Sequence, residues 1–381
     1  MKASLRELDI RGDRKRFVYQ TERGAALQLS YSAAHLLERR AAGADPALVA
    51  REFSEAMGRP IAVAEIEAAY TRLDNRVALA EEEEAGVPRG FAGRFRLVPA
   101  SLVDRIGSRL GILFEPYIFA AVAVSALVAI AVTLRTDGIG IGLGGASFWL
   151  GYALFLGSLL VHEFGHAAAA RRFGAPVGEI GATMYLIYPA LYTDVTSAWR
   201  LTRAQRVTVD VGGVYFQTIV AAIVLAAGHA LHFEAARAGG LLMLASCAFA
   251  MNPFLRNDGY WVLSDALGVA NFGRAALRSL RAGQGGAFRG PVLVVLIAYG
   301  AGSLLVGAAI VCAVVLSVVH IVPIVPALVV ALGHDLFAAH RVPAPRELNA
   351  LLQLAFPVLF ISSLLLRRRR GGASAMHAGK P

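Results

Sequence analysis

The feature that most limits the folds open to this chain is a series of apolar runs long enough to cross a bilayer. From Pro116 to Leu134 there is no charged residue. A helix needs roughly 20 mainly apolar residues to span the hydrocarbon. Only a helix or a closed barrel pairs all its backbone polar groups there. Six segments qualify as helical spans: 114–134, 145–170, 207–231, 240–261, 291–319 and 350–366. A further stretch, Ile321 to Gly333, has only 13 residues and carries Pro323 and Pro326, so it reads as interfacial or re-entrant. The composition agrees, at 56% hydrophobic residues and a mean hydropathy of +0.57.

The net charge of +10 raises the question of nucleic acid. The arginines answer it by position. They sit beside the apolar runs, at Arg171–Arg172, Arg203–Arg206, Arg274–Arg281 and Arg367–Arg370. That is the pattern of positive cytosolic loops in a membrane protein, not of a basic nucleic-acid face. With the N-terminus inside, six spans place all these clusters in the cytosol, which predicts a multi-pass membrane protein with a cytosolic N-terminus. The start of the chain lacks the apolar core of a signal peptide, so the N-terminal part is expected to remain cytosolic. Cys247 and Cys312 both lie in apolar runs and have no metal-ligand spacing, and so read as small buried hydrophobes.

Residues 1–85 read as a small α+β, winged-helix-like domain. "RFVYQ" and "ALQLS" are expected strands around a turn at Glu22–Gly24. Three helices follow. The first has Ser32 as its expected N-cap and Gly43 as its stop. The second has Asp45 as cap, Pro46 at its first position and Gly58 at its end. The third, 63–75, places Ile66, Tyr70 and Leu73 on one face. The acidic run Glu81–Glu84 begins a linker, and residues 86–110 approach the membrane. The membrane-embedded domain is expected over 111–370, with a tail over 371–381. Between the second and third spans, "VGEIGATMYLIYPALYTDVT" is strand-like, with a turn near Gly181 or Pro189. After the fourth span, "VLSDALGVANFGRAALRSLRAG" is amphipathic. Arg274, Arg278 and Arg281 share one face, with Leu263, Leu267, Phe272 and Leu277 on the other, as in a helix lying on the membrane surface.

The chemistry is concentrated in "VHEFGH". His162 and His166 are spaced i, i+4, one turn apart on one helical face, where two imidazoles can share one zinc ion. Glu163 beside them can accept a proton from a water. From Phe148 to Ala170, Glu163 is the only charged residue. A carboxylate at that depth is costly unless compensated, and a metal compensates it. Catalytic zinc usually takes three protein ligands, so a third ligand is expected at similar depth. Asp194, Asp210 and Asp258 are the candidates. The second and fourth spans run in the same direction, and both motifs lie toward the same ends, which favours Asp258. Gly259 allows close backbone approach there, and Pro253 can break the helix.

"HEFGH" with a distant "NPFLRNDG" resembles the site-2 protease family of intramembrane zinc metalloproteases, in its bacterial peptide zinc metalloprotease branch. The resemblance spans about Val98 to Leu366. It implies one Zn2+ held by His162, His166 and Asp258, with Glu163 as general base. It also implies a supporting role for Asn252, in polarising the scissile carbonyl or holding water. Where this family has a small-xxx-Asn pattern, the chain has "GGVYFQ". Gly213 and Gln217 are therefore the matching positions for substrate positioning, with the longer amide displaced from the place of Asn. The strand-like segment before Asp194 matches a membrane-associated hairpin whose edge can pair with an extended substrate, and Asp194 joins the positioning candidates. Residues 16–80 resemble the PqqD-like peptide-recognition domains, which implies binding of a leader peptide.

The expected function is hydrolysis of a peptide or membrane-protein substrate by water activated at zinc. One rival is a non-proteolytic zinc-binding partner of a peptide maturation or export system, although a purely structural site has no need of Glu163. Another is a metal transporter. Outward of His162 only Ser158, Tyr152 and Ser147 are polar on that span, which leaves no through-path.

Overall fold

The computed structural model describes residues 4–7, 16–21, 26–85, 91–140, 145–185, 188–269, 271–282 and 288–321, together with Val330. The sixth expected span, the proline-rich segment before it, Arg367–Arg370 and the turn at Glu22–Gly24 lie outside the described residues. Among those described the chain is mainly helical, with eleven α-helices and two small sheets.

The N-terminal unit is an antiparallel sheet, β1 (Ser4–Glu7), β2 (Arg16–Gln20) and β3 (Ala26–Ser30), followed by α1 (Tyr31–Ala41), α2 (Pro46–Met57) and α3 (Val63–Ala85). Strand β1 adds to the two strands expected. Leu27, Leu29, Leu36, Val49, Phe53, Ile66, Tyr70 and Leu73 bury into one core between sheet and helices. Two local details differ from expectation. The N-cap of α1 is Ser30, whose Oγ accepts from the Ala33 N–H, not Ser32. Helix α3 runs on through Glu81–Glu84, because glutamate is a good helix former and nothing in that run breaks the helix. Asp45, Pro46 and Gly58 (φ +66) start and stop α2 as expected.

Among the described residues, four helices are long and apolar enough to cross a membrane: Pro116–Asp137 in α5, Ser147–Arg172 in α6 (Gly145–Arg172), α7 (Arg203–Ala230) and Gly290–Leu316 in α11 (Gly290–Ile321). This is the architecture of a helical membrane protein. Val124, Leu127, Val128 and Val132 of α5 and Leu304, Leu305, Val311 and Val315 of α11 are exposed, as apolar side chains facing lipid would be. Helix α7 is central and packs against α5, α6 and α8 (Glu234–Ala250). The fourth expected span is not continuous. Helix α8 stops at Ala250 after 17 residues, and the loop through Pro253 leads into a separate helix, α9 (Asp258–Leu267). Proline cannot supply the backbone N–H that a continuing helix needs.

Helix crossings set the relative directions. A Cβ on Gly165 would lie 2.1 Å from Gly212 O, so α6 and α7 touch backbone to backbone. A Cβ on Gly151 would lie 2.6 Å from Ala235 O, which joins the early turns of α6 and α8. Gln217 meets Ser158 while Gly212 meets Gly165, so α7 is antiparallel to α6. Helix α8 runs parallel to α6, as the expected span directions required. The alanines 167–170 are fully buried, and α4 (Ala100–Leu110) approaches them closely through Gly107.

The strand-like segment forms a hairpin, β5 (Ile180–Tyr185) and β6 (Tyr188–Thr193). The pairing runs from Ile180 with Thr193 to Tyr185 with Tyr188, so Gly181 and Pro189 are strand residues. β4 (Phe91–Val98), in the segment read as linker, pairs antiparallel with β5, which leaves β6 as an edge strand. Proline is tolerated on such an edge. The amphipathic segment is two helices, α9 and α10 (Phe272–Ala282). Phe272, Ala275, Ala276 and Ser279 of α10 are buried, and the cluster around Phe272 includes Tyr260 of α9 and Tyr299 of α11. Leu277 is exposed beside Arg274, Arg278 and Arg281, not opposite them.

Candidate metal centre

Ser158, His162 and His166 stand at i, i+4 and i+8 on α6 and face α7. His162 lies ten residues before Arg172, about 15 Å along the helix, well inside a span-length segment. Both histidines are 9% exposed and Glu163 is 8% exposed.

Asp258, the first residue of α9, completes a trio with them. Its Oδ2 lies 3.0 Å from His162 Nε2, and its Oδ1 lies 3.7 Å from His166 Nε2. The two Nε2 atoms are 3.2 Å apart. Among the described residues these three side chains form the group whose ligand atoms converge within 4.8 Å of one another. Asp194 and Asp210 are not part of it. The loop that brings Asp258 in is tightly folded. Asn257 Nδ2 donates to Phe249 O (3.1 Å), Asn252 Oδ1 accepts from the Phe254 N–H (3.0 Å), and a Cβ on Gly259 would lie 2.1 Å from Met251 O.

The hydrogen bonds test whether a cation fits. His166 Nδ1 is 2.8 Å from the Val209 carbonyl, which only accepts, so in the neutral ring Nδ1 carries the proton and Nε2 presents a lone pair. His162 Nδ1 is 3.2 Å from Gln217 Oε1, again an acceptor, so its Nε2 is bare as well. Asp258 Oδ2 is buried without an aligned hydrogen bond, despite its short distance to His162. Three electron-pair donors thus point at one another, an arrangement that repels itself unless a cation lies between them. The space is there. A Cβ on Gly213 would sit 2.4 Å from both Nε2 atoms, so only glycine leaves this volume free. Zinc–imidazole bonds are about 2.0–2.1 Å long. Two imidazoles and one carboxylate are also a donor set that zinc accepts. The trio therefore fits a metal ion.

Glu163 lies beside the trio. Thr193, at the end of β6, places its hydroxyl 2.7 Å from Glu163 Oε2 and 2.9 Å from Glu163 O. The other carboxylate oxygen has no hydrogen-bond partner among the described residues.

The remaining expected site residues have identifiable surroundings. Gly213 lines the trio. Gln217 is fully buried against His162 and Ser158. Asn252 holds the turn before α9 through its Oδ1. Asp194 Oδ1 accepts from Thr196 N–H (3.1 Å) and Thr196 Oγ1 (2.7 Å), closing the turn after β6.

Sequence reasoning missed three contributors. Thr193 lies in a segment already singled out as strand-like, but its contact with Glu163 depends on how the hairpin docks. Val209 acts through its carbonyl, which leaves no side-chain signal. Arg206 Nε lies 3.0 Å from Asp265 Oδ1, with both side chains buried, tying the α9 that carries Asp258 to α7.

No family model matches the chain, nor does any curated protein or solved structure. The functional reading rests on the chemistry of these residues.

Proposed function

We propose that the chain is a membrane-embedded zinc metalloprotease of the site-2 type, acting on a peptide or membrane-protein substrate in a bacterial inner membrane. The observation that carries this reading is the convergence of two bare imidazole nitrogens and a carboxylate beside a second, buried carboxylate. His162, His166 and Asp258 would hold the ion. Bound there, zinc would supply Lewis-acid chemistry, lowering the pKa of a water and polarising a carbonyl. Glu163 does what a structural site would not require. Thr193 holds Oε2, and Oε1 is left to take a proton from the attacking water and return it to the leaving amine. The buried surroundings keep bulk water away from this exchange.

Substrate delivery follows from the hairpin. The outer edge of β6 is unpaired among the described strands and ends at Thr193, beside Glu163. An extended peptide adding to that edge would be carried to the base. The N-terminal unit would select the substrate, binding a leader peptide along its sheet and α3, with the N-terminus in the cytosol.

The test is a trap. Glu163→Gln protein, purified from its host, should co-purify with an intact peptide that wild-type protein releases as two fragments. Recovery of uncut peptide from both forms would instead favour a zinc-binding export or maturation partner.

A further inference from the structure

Gln217 is fully buried in the middle of α7, and both ends of its amide are engaged. Its Nε2 donates to Ser158 Oγ at 3.0 Å, and its Oε1 lies 3.2 Å from His162 Nδ1. The Ser158 hydroxyl has one proton, and it is donated to Phe155 O at 2.7 Å. Toward Gln217, then, Ser158 can only accept. That fixes the amide with its NH2 on the serine side and its carbonyl on the histidine side. Cys247 of α8 adds a further donor to the same carbonyl, with Sγ 3.5 Å from Oε1. A reversed amide would face Ser158 with an oxygen and lose the thiol contact.

We infer that Gln217 is a positioning residue for the metal centre. Its amide, oriented by Ser158, holds the His162 proton on Nδ1 and so keeps Nε2 available as a ligand. This rests on the reading of the trio as a metal site and deepens it. An imidazole has two nitrogens and one proton when neutral, and the partner of the non-ligating nitrogen decides which one can bind. His166 has a backbone carbonyl for this purpose, which no side-chain substitution removes. His162 depends on the Gln217 side chain. The chain from Phe155 O through Ser158 and Gln217 to His162 also begins and ends on α6 and crosses to α7 between. It thereby ties the ligand's protonation state to the contact between these helices. With no exposed surface and no free hydrogen-bonding atom, Gln217 acts on the ligand and not on the substrate.

The experiment uses the full chain in detergent and Zn2+ in competition with a chelating dye. Gln217→Leu should weaken zinc binding about 10- to 100-fold, the usual effect of losing a ligand's hydrogen-bond partner. Gln217→Glu, which retains an acceptor, should remain within a few-fold of wild type. Ser158→Ala, which frees the amide to turn, should fall between them. The Co2+ spectrum should shift in the Leu variant and not in the Glu variant. Wild-type affinity and spectrum in Gln217→Leu would overturn the inference, and so would a Glu variant as weak as the Leu variant. If wild type takes up no stoichiometric metal, the metal reading itself fails. The assignment is then read from the 15N resonances of His162 in selectively labelled protein. A proton on Nδ1 that is lost in Gln217→Leu supports the positioning role, and a proton on Nε2 in wild type refutes it.

Discussion

Thr193 Oγ1 lies 2.7 Å from Glu163 Oε2, joining edge strand β6 to the only charged side chain between Phe148 and Ala170. One short hydroxyl contact thus couples the strand proposed to receive an extended peptide with the group proposed to move its protons. Thr193→Val keeps the side-chain shape and removes the donor. Cleavage should fall about 10- to 100-fold, the scale at which misplacing a reacting group slows an enzyme. Zinc content should not change, and Thr193→Ser should restore most of the rate. The check is a cleavage assay paired with metal analysis of the same preparations.

Gly213 and Gly165 make opposite demands on a test. A Cβ on Gly213 would fall 2.4 Å from both Nε2 atoms, inside the site, whereas one on Gly165 would strike the backbone of α7 at 2.1 Å. Gly213→Ala should abolish metal binding, with thermal unfolding close to that of metal-free wild type. Gly165→Ala should lower stability by at least the roughly 1–3 kcal/mol typical of overpacking, because backbone cannot move aside as a side chain can. Differential scanning measurements in detergent, with zinc titration, separate the two.

Arg206 and Asp265 form an ion pair with side-chain exposures of only 3% and 11%. Removing one partner strands a buried charge. Arg206→Met should destabilise the protein by about 3–5 kcal/mol. It should also weaken metal binding, since α9 carries Asp258. Pairing it with Asp265→Leu should recover part of the loss. Thermal unfolding of the single and double variants gives the comparison.

Residues 1–85 build their own core around Val49 and Leu29. Their deletion should leave zinc binding intact and reduce selection among host peptides. Equal affinity for a candidate leader peptide with and without this unit would refute the recognition role.

What could be read from the sequence was local. The Asp45–Pro46 start and Gly58 stop of α2 are made by neighbouring residues, as is the one-turn spacing of His162 and His166. Asp258 was legible through a longer argument, because parallel spans bring corresponding ends together. β4 was not, since its partner β5 lies more than eighty residues onward and only docking reveals the pairing. Asp258 also proved to start a new helix, not to close a span, once Pro253 broke the run. The partner of Glu163 was hidden, because Thr193 gains its role from how the hairpin docks on α6 and has no motif of its own. Gln217 was singled out by its pattern, for substrate positioning, but its contact with His162 depends on how α7 crosses α6 at Gly165 and Gly212.

The most direct test of the central claim measures zinc content and peptide cleavage together in purified full-length wild-type, Glu163→Gln and His162→Ala proteins. The expected result is about one zinc per chain in the first two, little in the third, and cleavage by wild type alone, with Glu163→Gln slowed at least 10²-fold as loss of a general base requires. Cleavage by Glu163→Gln at the wild-type rate, or a wild-type protein that cleaves equally well after its metal is stripped, would contradict the account.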